Sequence, residues 1–270
     1  MPSDSLISRM QALNGKPLSN VPETKTSARH AELDELLEGT NAEAAHGPGY
    51  LLIQRPARYL ESEASVIYRR FAQLTGYPDG TAVTRLGAIC NAQNINPQSV
   101  LFLDIETTGL GTAPVFLIGT MECVKDEFLF RQYFARGYEE EVSILSAVSE
   151  RLKDVELLVT FNGKTFDMPF IANRATACGI KMHHANTHLD MLNESRRHYK
   201  GTVPNCRLQT LERHVCGRCR EDDIPSAQIP AAYNAFVRTG KTDKIESIIL
   251  HNLIDIFTMA DIMTRMWRCD

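Results

Sequence analysis

The run Ser99-Val-Leu-Phe-Leu-Asp-Ile-Glu106, continuing into Thr107-Thr108-Gly109, decides how the rest of the chain is read. Its branched and aromatic residues predict a buried strand, and the Thr-Thr-Gly sequence predicts the turn that ends it. Asp104 and Glu106 lie two residues apart near the end of that strand, so their side chains share one face. Two further β-rich runs follow across short turns, Pro114-Val-Phe-Leu-Ile-Gly-Thr-Met-Glu122 and Glu127-Phe-Leu-Phe-Arg-Gln-Tyr-Phe134. Together the three predict an antiparallel meander.

Beyond the meander the period changes. Val142, Leu145, Val148 and Leu152 recur at helical spacing within Glu139 to Lys153, behind a cluster of glutamates suited to a helix N-terminus. Val155 to Phe161 predicts a buried strand. Helices are predicted at Met168 to Ala177, stopped by Gly179, at Leu208 to Cys216, capped by Gly217, and at Lys244 to Trp267. Three meandering strands, a crossover helix, another strand and further helices form the element order of the ribonuclease H-like α/β fold, a mixed central sheet with flanking helices. This domain is expected to span 99–268. Residues 46–98 predict a strand at Tyr50 to Arg55 and a helix at Ser62 to Leu74 packing on it. Residues 1–45 are polar, carry short helical patterns at Leu6 to Leu13 and Ala31 to Leu37, and read as a loosely attached extension.

Composition narrows the function classes. With 43% hydrophobic and 23% charged residues in 270, the chain is neither disordered nor fibrous. No run approaches eighteen consecutive apolar residues, and the N-terminus lacks the apolar core of a secretory signal, so a cytoplasmic protein with no membrane partner is expected. Seven cysteines, an odd number, favour reduced thiols over a disulfide framework. The net charge of −4 conceals a local excess: Arg196 to Arg220 holds seven basic residues against Glu212 alone. That stretch is either a solvated face or a guide for a phosphate backbone, with Arg196 and Arg197 the first to test.

Three clusters carry chemistry. Asp104 and Glu106 side by side repel, and a hard divalent cation such as Mg²⁺ would offset them, although an acid pair at a strand end is also an ordinary solvated edge. Phe161-Asn-Gly-Lys-Thr-Phe-Asp167 ends the buried strand in a turn and places Asp167 at a helix start, where a capping role is the plain alternative. His251 and Asp255 stand at i and i+4 on the last helix, among Ile248, Ile249, Ile256 and Met259.

In this order and on these elements, the residues resemble the DnaQ-like DEDD superfamily of 3′–5′ exonucleases. Its four carboxylates match Asp104, Glu106, Asp167 and Asp255, and His251 resembles the histidine subtype. The segments Leu189 to Arg197, Leu208 to Arg213, Asp222-Asp223-Ile224-Pro225 and His251-Asn252 look more narrowly like the YprB-type ribonuclease H-like domain. The resemblance covers about Ser99 to Trp267. It implies two Mg²⁺ or Mn²⁺ ions held by the four carboxylates, with Asp104 shared between them, and His251 as general base. The expected substrate is single-stranded DNA or RNA, or its 3′ ends, releasing nucleoside 5′-monophosphates. Thr107, Thr108 and Gly109 would offer backbone N–H groups to the terminal nucleotide, and Asn162 and Phe166 would line the adjacent pocket. A non-catalytic nucleic-acid-binding or scaffold module on the same fold, and a structure-specific endonuclease, are the rival readings.

Other residues have plainer explanations. Cys216 and Cys219, with His214 and Cys206, have zinc-like spacing, yet Cys216 also fits a buried helix end. Asp190 reads as a helix cap. His183, His184 and His188 read as surface residues on a loop.

Overall fold

The meander forms as three paired strands in the computed structural model, which describes residues 23–62, 64–75 and 96–266. Strand β3 (Val100–Thr107) pairs antiparallel with β4 (Val115–Val124), and β4 with β5 (Glu127–Phe134). On the far side of β3, strands β6 (Leu157–Thr160) and β7 (Thr187–Asp190) run parallel to it. Beyond β5, β2 (Tyr50–Pro56) and β1 (Thr40–Ala42) extend the sheet antiparallel. The full order is β1-β2-β5-β4-β3-β6-β7.

Parallel neighbours need crossovers. Helix α3 (Glu141–Leu152) supplies one between β5 and β6, and α4 (Asp167–Ala177) the next. The central strand is covered on both faces, which explains its unbroken apolar run. Leu101, Leu103 and Ile105 join one hydrophobic cluster with residues of α3 and α4. Val100 and Phe102 join a second with α2 (Ala64–Thr75) and α8 (Ile245–Met266). Asp104 and Glu106 continue the second face.

Part of the polar region before residue 46 is fastened down rather than loose. Helix α1 (Glu23–Leu36) and the turn after it bury Leu33 and Leu37, and β1 pairs with β2. Asp34 meets Arg136 at 2.9 Å, and Arg136 in turn meets Glu140 at 2.7 Å. A few well-placed leucines and one buried guanidinium outweigh the polar composition around them. The pattern at Leu6 to Leu13 lies outside the described residues.

The other helices are α5 (Met191–Tyr199), the single turn α6 (Leu208–Leu211), and α7 (Ile229–Thr239). The helix expected to run to Cys216 is therefore divided: after α6 the chain widens into a π-turn at Glu212–Cys216, and Gly217 caps it at φ 73. Helix α8 is long and apolar enough to cross a membrane by length and composition, yet 78% of its most apolar stretch is buried inside the fold. Its close seating on the sheet depends on Gly119 of β4, because a Cβ there would collide with Asn252 Oδ1 and Ile256 Cδ1.

Candidate carboxylate centre

The carboxylates gather where β6 stops. Pairing of β3 with β6 reaches only Phe102↔Val159, so Asp104 and Glu106 project past the carboxyl end of the parallel strand. A crevice at such strand ends is where open α/β sheets take ligands. After β6 the chain reverses through Asn162, at φ 68, and delivers Asp167 to the start of α4. Asp190 clasps that turn: Oδ1 accepts from the Asn162 N–H at 2.8 Å and Oδ2 from the Lys164 N–H at 3.2 Å. Oδ1 also accepts from the Leu192 N–H at 3.0 Å, so the cap role holds and a second role is added to it.

Helix α8 closes the centre. Asn252 is fully buried and donates from Nδ2 to Asp104 Oδ2 at 2.9 Å. Its Oδ1 accepts from Gln132 Nε2 at 2.8 Å, which fixes the amide's orientation. On the same helix, His251 Nε2 lies 3.7 Å from Asp255 Oδ2 and 4.0 Å from Glu106 Oε1.

Electrostatics mark the cluster. Burial, followed by repulsion from Asp255, Asp167 and Glu106, pushes the Asp104 carboxyl well above the usual carboxylate range. Glu106 is raised well above that range for the same reasons, burial first and then Asp255. Burial lifts Asp167 to about 7, against the lowering effect of backbone hydrogen bonds at Asp167 and Ile105. Among the described residues no lysine or arginine pairs with any of these three. Asp255 differs, because Arg220 Nη2 meets its Oδ1 at 2.5 Å.

Arg220 and Asp223 hold places that the motif leaves unassigned. Asp223 Oδ1 lies 2.8 Å from His251 Nδ1, and Arg220 spans Glu212, Asp223 and Asp255. A groove of about 510 Å³ begins at this pair and is bordered by Asn205, Gln209, Arg213 and His214.

The remaining candidates from the sequence divide. Thr107 Oγ1 donates to Gly109 O at 2.7 Å, and the Thr108 N–H is already given to Pro114 O at 2.9 Å, so that N–H does not point to a nucleotide. Asn162 and Phe166 are both exposed at the rim, with the Phe166 ring centre 5.6 Å from that of Phe170. Arg196 and Arg197 are exposed on α5, Arg197 meeting Glu194 at 2.7 Å. Two members of the basic stretch turn inward instead: Arg218 pairs with Asp261, and Arg220 with the acids named above. His188 is on β7 rather than a loop, where Thr160 Oγ1 lies 2.8 Å from Nε2 and burial lowers the imidazole to about 4. Cys216 packs in the second apolar cluster, and burial pushes its thiol to about 12, as a core residue requires.

A family profile described as RNase_H superfamily matches residues 101–267, and the chain belongs to that superfamily. Over 181 residues the chain is 28% identical to the uncharacterized protein YprB of Bacillus subtilis (strain 168), covering 65% of this chain and 44% of that protein. It therefore spans less than half the length of this curated relative. Among solved structures it is similar to the family B DNA polymerase from the hyperthermophilic archaeon Pyrobaculum calidifontis, at a TM-score of 0.50 and 16% identity over 60% of this chain and 23% of that one. That likeness concerns the fold alone.

Proposed function

We propose that the chain is a divalent-metal-dependent nuclease that hydrolyses phosphodiester bonds of DNA or RNA from the 3′ end, releasing nucleoside 5′-monophosphates. The observation that carries this reading is the cluster of half-buried Asp104 and Glu106 with buried Asp167, acids raised by desolvation and by repulsion from neighbouring carboxylates, with no cationic partner among the described residues. Such a cluster is costly unless cations offset it. All-oxygen donors suit hard divalent ions. The four carboxylates fit Mg²⁺ or Mn²⁺ by chemistry, although among the described residues no three acidic, histidine or cysteine side chains are gathered tightly enough to hold an ion without moving.

Two bound ions would supply charge stabilisation at the phosphate and at the entering and leaving oxygens. His251 Nε2 faces the carboxylates and accepts the proton of the attacking water. Exposed Phe166 offers a stacking surface for a base, and Arg196 and Arg197 attract the strand's phosphates. The test is incubation of purified protein with end-labelled single-stranded DNA and RNA, with Mg²⁺, Mn²⁺ or EDTA, alongside a circular single strand. Stepwise shortening from the 3′ end supports the reading. Cleavage of the circle would make the enzyme an endonuclease, and binding without cleavage would make it a scaffold.

A further inference from the structure

His251 is 2% exposed, and its two ring nitrogens meet different surroundings. Nδ1 faces Asp223 Oδ1 at 2.8 Å. An ionised carboxylate only accepts, so this pairing places the proton of a neutral ring on Nδ1 and the lone pair on Nε2. Nε2 points toward Asp255 and Glu106 at distances too long for direct hydrogen bonds, with Ser226 Oγ at 3.4 Å as a weak neighbour. A histidine satisfied for packing alone would not turn its free nitrogen toward two acids.

We propose that Asp223 is a positioning residue: it holds His251 as the Nδ1–H tautomer with Nε2 directed at the carboxylate centre, and Arg220 locks that arrangement. Arg220 is largely buried, and its planar fork reaches three acids at once. Nε meets Glu212 at 2.6 Å, Nη1 meets Asp223 at 3.2 Å and Nη2 meets Asp255 at 2.5 Å. One guanidinium thereby ties the residue that orients His251 to the acid that follows it one turn along α8. Glu212 anchors the far end from the π-turn, a local widening of the kind often found at functional sites. The loop reaches Asp223 through Asp222 at φ 57, an uncommon conformation for a residue with a side chain. The proton-accepting role of Nε2 rests on the nuclease reading, whereas the orientation of the ring does not.

The test joins ring-nitrogen NMR to kinetics. Long-range ¹⁵N–¹H spectra of uniformly ¹⁵N-labelled protein, recorded above the histidine titration range and assigned with His251→Gln, report which nitrogen carries the proton. Wild type should show His251 protonated at Nδ1. Asp223→Asn, which can donate to Nδ1, should shift the ring toward the Nε2–H tautomer, and Asp223→Ala should give a mixture. Both variants should fall roughly 10- to 100-fold in kcat, the usual effect of removing a group that orients a site histidine. KM and Mn²⁺ affinity, the latter measured by calorimetry, should stay near wild type, a split that general unfolding would not produce. Arg220→Lys, which keeps the charge without the fork, should lower kcat in the same direction. An Nε2–H tautomer in wild type, or a His251 spectrum unchanged in Asp223→Ala, would overturn the proposal. A wild-type protein that cleaves nothing would remove the nuclease reading, and the tautomer would still decide this one.

Discussion

Asn252 on α8 donates a 2.9 Å hydrogen bond to the carboxylate of Asp104 on β3, joining residues 148 apart in the chain. This neutral donor opposes the raising effects of burial and repulsion on Asp104. Asn252→Ala should remove it and leave Gln132 Nε2 with only its bond to Ile249 O. The expected cost is about 1–3 kcal/mol. Urea unfolding of the ion-free protein measures it, and the Asp104 carboxyl should rise further still.

Gly119→Ala should act on the same junction from the sheet side. A methyl group there meets Asn252 and Ile256, and overpacking of this kind costs typically about 1–3 kcal/mol. The variant should melt lower and bind Mn²⁺ more weakly, because α8 must move away from β3. Melting curves with and without Mn²⁺ would show both effects, and an unchanged protein would mean that α8 does not press closely on β4.

The ion-free protein should become less stable as pH rises. Asp104, Glu106 and Asp167 are raised in the folded chain, so folding takes up protons, and their stabilising protonated forms are fully present below about pH 4, the unfolded carboxylate range. That contribution disappears as pH climbs through about 7, where Asp167 ionises, and Asp104 and Glu106 act in the same direction. Thermal melts across this window in EDTA should slope downward, and saturating Mn²⁺ should flatten the slope. A rising slope in EDTA would contradict the repulsive cluster.

Arg196→Ala combined with Arg197→Ala should weaken binding of a single-stranded oligonucleotide and reduce its salt dependence by about 0.7 in log–log slope for each phosphate no longer neutralised. The chemical step should change little. Because the helical rise is about 1.5 Å per residue, Arg196 stands about 9 Å along α5 from Asp190, a reach suited to backbone phosphates rather than the scissile one. An unchanged binding curve across salt concentrations would assign both residues to a solvated face.

The meander and the acids on it are legible in the sequence because both depend on short-range pattern: a continuous apolar run, a two-residue spacing, a turn with glycine. Asp167 is legible from the strand-turn-helix around it. The attachment of α1 is not, since Leu33 and Leu37 stand in a largely polar stretch and Arg136, the partner of Asp34 on the same helix, lies 102 residues away. The partners of Arg220 and Asp223 are hidden for a related reason. Arg220 reaches Asp255 across 35 residues and Asp223 reaches His251 across 28, and nothing local tells a charge facing solvent from one folded inward. His188 escapes a strand assignment because β7 is only four residues long and begins with a polar pair.

If these clustered acids exist to hold the ions that cleave phosphodiesters, removing one charge from the centre should stop the reaction and leave the fold intact. The decisive measurement is Mn²⁺-dependent release of nucleotides from a 3′-labelled oligonucleotide by wild type and by Asp104→Asn, a near-isosteric change that keeps an acceptor for Asn252. Wild type should turn over and be silenced by EDTA, while the variant should stay folded, melt higher without ions and release no nucleotide. Turnover at the wild-type rate in Asp104→Asn would contradict the metal-centred mechanism.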